Sequence, residues 1–107
     1  MEFNVKQRLS GMLGFATRAG KIIVGTDLVC KAMAQGKVKL TVVSGEASDS
    51  TKKKLTTKSS FYGIASVEIN IEMEELAGLI GKSSGVAAVA VTDEGFAEQI
   101  RRLASET

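Results

Sequence analysis

The feature that most constrains this chain is a run of small apolar residues at positions 86–91 (VAAVAV), closed by Thr92 and Asp93. No polar residue interrupts it, so it lacks the alternation of a strand with one face in water. It predicts a central strand covered on both sides. It is also far too short to cross a bilayer. A strand of that kind needs helical layers above and below, and the rest of the sequence supplies them. Val5, Leu9, Met12, Leu13 and Ala16 recur at helical spacing with Lys6, Gln7, Arg8 and Ser10 on the other side, giving an amphipathic first helix that stops at Ala19-Gly20. A brief β-prone stretch, residues 21–24, leads to Gly25. A second helix follows, with Thr26 as its expected N-cap, running through Gln35 to a stop at Gly36.

Residues 38–43 predict a buried strand bounded by Ser44-Gly45. Ser48, Asp49, Ser50 and Thr51 offer caps for a polar third helix whose almost only apolar anchor is Leu55. Residues 64–69 alternate as a strand. Met73, Leu76, Ala77 and Ile80 mark a fourth helix ending at Gly81, and Phe96, Ile100 and Leu103 line one side of a fifth, capped by Thr92 or Asp93. The expected order is α-β-α-β-α-β-α-β-α. The reading is a single domain over residues 1–107, with a sheet between helical layers and no repeat or linker.

Composition removes several function classes. There is no histidine, the commonest general base and metal ligand. The single cysteine, Cys30, cannot form an internal disulfide and sits among Leu28, Val29, Ala32 and Met33 as a small buried hydrophobe. With no apolar stretch of signal-peptide length at the N-terminus, a cytoplasmic location is expected. Glu72, Glu74 and Glu75 read as first-turn acids that complement a helix dipole. Gly81-Lys82-Ser83 is not a phosphate loop, because Leu76 stands where that pattern needs glycine and the helix precedes it. No G-x-G-x-x-G occurs. The expectation is no catalytic residue, no metal and no cofactor.

Binding surfaces remain. The net charge is only +2, but between residues 18 and 58 nine Lys and Arg meet Asp27, Glu46 and Asp49, a local balance of +6, while residues 61–107 carry −5. A polyanion would favour the middle of the chain. There, Gly25 opens a helix whose first-turn N–H groups are free for phosphate oxygens, Asp27 and Lys31 share a face at i,i+4 spacing, and Arg18 and Lys21 lie just upstream. The second stretch is Lys82, Ser83, Ser84, Gly85 and Val86, where small residues beside a valine offer a seat for an extruded base and Lys82 a phosphate contact. Each also has an ordinary reading, as a capped helix with an i,i+4 ion pair and as a plain connection. Lys52, Lys53 and Lys54 read as a solvated face. Phe61-Tyr62, the only adjacent aromatic pair, is expected to pack where the third helix meets its strand, which disfavours an aromatic platform for single strands.

The segments 13–24 (LGFATRAGKIIV), 25–31 (GTDLVCK), 47–55 (ASDSTKKKL) and 85–96 (GVAAVAVTDEGF), in this order, resemble the kink-turn-binding family of ribosomal proteins, the L7Ae group, and especially its small bacterial YlxQ-like branch. The resemblance implies a three-layer α/β/α sandwich with a mixed four-stranded sheet and five helices. It also implies binding of a kink-turn, a sharply bent RNA duplex with tandem sheared G·A pairs. By position, Gly25, Thr26, Asp27, Leu28 and Lys31 would enter the groove beside those pairs, and Lys82, Ser83, Ser84, Gly85 and Val86 would pack on a flipped-out nucleotide. The chain departs from the archaeal and eukaryotic pattern, which has Asn then Glu where Asp27 and Leu28 stand. An ionised Asp27 only accepts hydrogen bonds, and Leu28 makes none.

The expected function is therefore non-catalytic, ribonucleoprotein-associated recognition of structured RNA: ribosomal RNA, RNase P RNA or a riboswitch, with no DNA and no membrane partner, and a monomer favoured. Lys31 would read a guanine edge, while Arg18, Lys21 and Lys82 hold phosphates. The alternatives are a protein-interaction module on the same sandwich with a weakened RNA surface, favoured by Asp27 and Leu28, and a small-molecule or nucleotide-modifying enzyme, disfavoured by the absence of histidine, of a second cysteine and of a phosphate loop. One geometric expectation underlies the RNA reading: Gly25 and Gly85 must lie side by side in one cationic cleft.

Overall fold

The computed structural model describes residues 4–83 and 85–106. Its elements run α1 (Val5–Arg18), β1 (Ile22–Val24), α2 (Thr26–Ala34), β2 (Leu40–Ser44), α3 (Asp49–Phe61), β3 (Ala65–Ile69), α4 (Met73–Leu79), β4 (Ala88–Val91) and α5 (Glu94–Ser105). The strands form one mixed sheet in the order β1-β4-β2-β3. β4 runs antiparallel to both neighbours, and β2 and β3 run parallel.

The apolar run does what its composition requires. β4 lies inside the sheet and all four of its residues are buried. Its side chains alternate between two cores. Val89 and Val91 join Leu40 and Val42 of β2 beneath Leu9 and Leu13 of α1, Leu76 of α4 and Ile100 of α5. Ala88 and Ala90 join Val43 beneath Val29 and Met33 of α2 and Leu55 of α3. The result is a three-layer α/β/α sandwich, with small side chains on the α2/α3 face. On that face the buried Ser59 hydroxyl lies 3.0 Å from the Thr41 hydroxyl and donates to it, so neither polar group is stranded.

The helix starts follow local chemistry. Asn4 and Gln7 form a reciprocal capping box on α1. Ser48 is the cap taken by α3, and Asp93 rather than Thr92 caps α5. Thr92 instead bonds the Lys21 carbonyl through both its N–H and its hydroxyl.

Three expectations are corrected. Thr26 is the first residue of α2, not its cap; Gly25 holds that place with φ 101° and ψ 140°, and no side chain caps the helix. The strand expected from position 86 begins at Ala88, because the Val86 N–H turns to the Met73 carbonyl of α4. Phe61 and Tyr62 do not pack at the α3–β3 junction: they are 80% and 41% exposed.

Candidate nucleic-acid interface

Strand direction sorts the sequence-predicted residues into two groups. β1, β2 and β3 all end at one rim of the sheet, and β4 begins there. At this rim the Gly25 N–H donates to the Ala88 carbonyl (3.2 Å), and the Ser44 N–H donates to the Ala87 carbonyl (2.8 Å). The glycine that opens α2 is thus bonded to the strand that the segment 82–87 enters. Gly25 and Gly85 lie on one rim, as the cleft requires.

Within α2, the Gly25 carbonyl receives the Val29 N–H at 2.9 Å, and Val29 is fully buried, which anchors the first turn to the core. Without a side-chain cap, the amides of that turn face outward with the positive end of the helix dipole. Asp27 and Lys31 are exposed on the same helix, and Leu28 is 58% exposed. The i,i+4 pair of the sequence reading does not form. Asp27 Oδ1 instead lies 3.6 Å from Lys54 Nζ of α3. Among the described residues Lys31 forms no ion pair, so its ammonium is available to an incoming group.

The second stretch is held from below. The Lys82 N–H closes α4 on the Ala77 carbonyl (2.8 Å), leaving its side chain exposed. Ser83 and Gly85 are exposed, while Ser84 lies outside the described residues. Val86 is only 7% exposed and packs in the core with Leu76 and Ile80. Its side chain therefore positions the segment rather than presenting an apolar seat. A Cβ on Gly85 would come within 2.9 Å of Glu74 Oε1, so the backbone passes close to α4 here. That carboxylate sets a negative charge beside Gly85.

Two predicted members are elsewhere. Lys21 precedes β1, and its carbonyl receives the Thr92 N–H beyond the other end of β4. β1 separates it from Gly25 by about 13 Å of extended chain. Arg18 ends α1 on that far side, its guanidinium 4.8 Å from the Phe15 ring centroid. The structure does not bring Arg18 or Lys21 to the rim. Lys54 was missed as a member of the site; its link to Asp27 depends on α2–α3 packing, which nothing in the local sequence reveals.

Other concavities do not compete with this surface. A groove of about 910 Å³ between α1 and α5 contains Met12, Phe15 and Leu103 and has no part in the rim. Among the described residues no three His, Cys, Asp or Glu side chains gather to hold a metal ion, and no helix is long and apolar enough to cross a membrane.

The model of the ribosomal protein L7Ae/L30e/S12e/Gadd45 family matches residues 7–101. The chain belongs to this family. Among relatives, it is 36% identical over 98 residues to the RNA-binding protein YlxQ of Enterococcus faecium, covering 92% of each chain. It is 37% identical to the protein of the same name from Bacillus subtilis over 83% of this chain and 87% of that one. The large ribosomal subunit protein eL30 of Sulfolobus acidocaldarius is 34% identical over 85% of this chain and 88% of its own. Among solved structures, a protein of unknown function from Bacillus halodurans superposes with a TM-score of 0.83 at 34% identity, covering 91% of this chain and 95% of that one. The 15.5 kD RNA-binding protein of Giardia lamblia superposes at 0.77 over 99% of this chain and 89% of its own; at 14% identity it speaks to the family fold alone.

Proposed function

We propose that this family member is a non-catalytic, cytoplasmic RNA-binding protein, that its target is structured RNA of the kink-turn kind within a ribonucleoprotein, and that the RNA docks on the rim. The observation that carries this reading is the Gly25–Ala88 hydrogen bond, which sets an uncapped helix start beside the segment leading into β4, with Lys31 of the same helix exposed and forming no ion pair among the described residues. Relatives named as RNA-binding proteins over nearly the whole chain support it. In this arrangement the first-turn amides of α2 receive phosphate oxygens, Lys31 donates to guanine N7 and O6, and Lys82 meets backbone charge from the other side. Lys54 offsets the charge of Asp27, which would otherwise repel the phosphates.

Replacing Lys31 by alanine is expected to weaken binding to a kink-turn duplex by about 1–3 kcal/mol, roughly five- to 150-fold. An electrophoretic titration of both proteins measures it, and equal affinities would remove Lys31 from the interface. The second reading, a protein-interaction module, is favoured by the 58% exposure of Leu28 and by an acid at position 27. Salt separates the two: affinity for RNA falls steeply between low and moderate ionic strength, whereas an apolar protein contact centred on Leu28 does not.

A further inference from the structure

The far end of the sheet carries cations and rings that the rim does not use. Here β2 and β3 begin, and the turns that close α2 and α3 come together around a concavity of about 450 Å³ that includes Gly36, Val38, Lys39, Tyr62 and Ile64. Tyr62, on its lining, is 41% exposed and Phe61 beside it 80%, with ring centroids 4.9 Å apart and planes at 88°. This edge-to-face arrangement, combined with that exposure, leaves ring faces open to solvent. Ser60 and Gly63 flank the pair in sequence.

Most of the charges around it are positive. Lys58 lies one turn before Tyr62, whose N–H donates to the Lys58 carbonyl at 3.1 Å. Lys37 and Lys39 are exposed on the facing turn, and the Lys39 N–H is fixed to the Val91 carbonyl at 2.8 Å. Lys58 complements the α3 dipole, and Lys37, whose N–H closes α2 on the Ala32 carbonyl, stands at the end of α2; Lys39 lies beyond any helix end. Among the described residues none of the three forms an ion pair. Glu94 is the acid that borders the concavity, and Asp93 beside it is engaged as the α5 cap.

From this juxtaposition of stacking faces and unpaired ammonium groups we propose a second nucleic-acid site, one that takes a single-stranded RNA segment with little sequence preference. Bases stack on Phe61 and Tyr62, and the adjoining phosphates meet Lys37, Lys39 and Lys58. β2 separates this face from the rim by about 13 Å, so a folded element and its single-stranded flank are held at opposite ends of one small protein. The site stands independently of the rim.

Fluorescence anisotropy with a fluorescein-labelled oligouridylate of about ten nucleotides tests it. The wild-type chain is expected to bind with an affinity that falls with salt, and the Phe61→Ala/Tyr62→Ala double variant to bind at least about fivefold more weakly. Phe61→Tyr keeps the stacking face and is expected to retain binding. Lys37→Ala/Lys39→Ala is expected to flatten the salt slope. Lys31→Ala is read with the kink-turn duplex and the aromatic double variant with oligouridylate, so failure at the rim and failure here are read from different variants and different RNAs. A thermal melt confirms that the exposed aromatic substitutions leave the fold intact. The proposal is overturned if the wild type does not bind, if the aromatic double variant binds as well as wild type, or if binding depends on the rings but not on salt, which would assign the face to an uncharged partner.

Discussion

Replacing Leu55 by alanine is expected to destabilise the protein by about 2–5 kcal/mol and to lower its melting midpoint by at least about 8 °C. α3 buries only Leu55 and Ser59. Leu55 is fully buried against α2 and the alanine-lined face of β4, in a cluster with Val29, Met33, Val43, Ala88 and Ala90. Truncating it leaves a cavity that rigid strand residues on one side cannot close, and α3 has no second apolar anchor to compensate. Lys53, exposed on the same helix, is the control: its replacement by alanine should change stability by less than about 0.5 kcal/mol. Thermal unfolding followed by circular dichroism measures both. A loss below about 1 kcal/mol for Leu55→Ala would mean that α3 is held by its polar contacts to the sheet and not by this anchor.

The second large effect is expected at Gly25. A Cβ there would meet no atom within 4 Å, so alanine fits the space; the obstacle is the backbone. At φ 101° and ψ 140° the residue occupies a region that is nearly closed to side chains. Gly25→Ala should therefore cost about 1–3 kcal/mol of stability, and relief of the strain moves the first turn of α2, weakening the bond to Ala88. RNA affinity should fall with it even though no contacting side chain has changed. A urea titration and a kink-turn binding titration on the same variant check the two parts. Stability lost with RNA affinity intact would separate the Gly25 turn from the docking surface.

The layers were legible because they follow from two local facts. A strand without polar residues must be covered on both sides, and the spacing of Leu9, Leu13, Ile100 and their neighbours shows which helix faces cover it. Ends were less legible, because they depend on distant partners: Val86 reads as strand until its N–H is seen to bond Met73, and Val38 until Lys37 is seen to close α2 on Ala32. In the candidate site, the Gly25 and Gly85 stretches each stand out by their residues, and it is the family resemblance that joins them in one surface. Arg18 and Lys21 were misplaced because nearness along the chain was read as nearness in space, whereas β1 carries the chain from one end of the sheet to the other. The Asp27–Lys54 pair and the open Phe61–Tyr62 step depend on how α2 and α3 lie against each other, and no sequence period reports that.

Docking of bent RNA on the rim is open to test by amide chemical-shift mapping of the labelled protein titrated with a kink-turn duplex. The largest shifts are expected on Gly25, Thr26, Asp27, Leu28 and Lys31 and on Lys82, Ser83 and Gly85, with Arg18 and Lys21 little changed. Shifts centred on the groove between α1 and α5, or absent from both rim segments at saturating RNA, would contradict it.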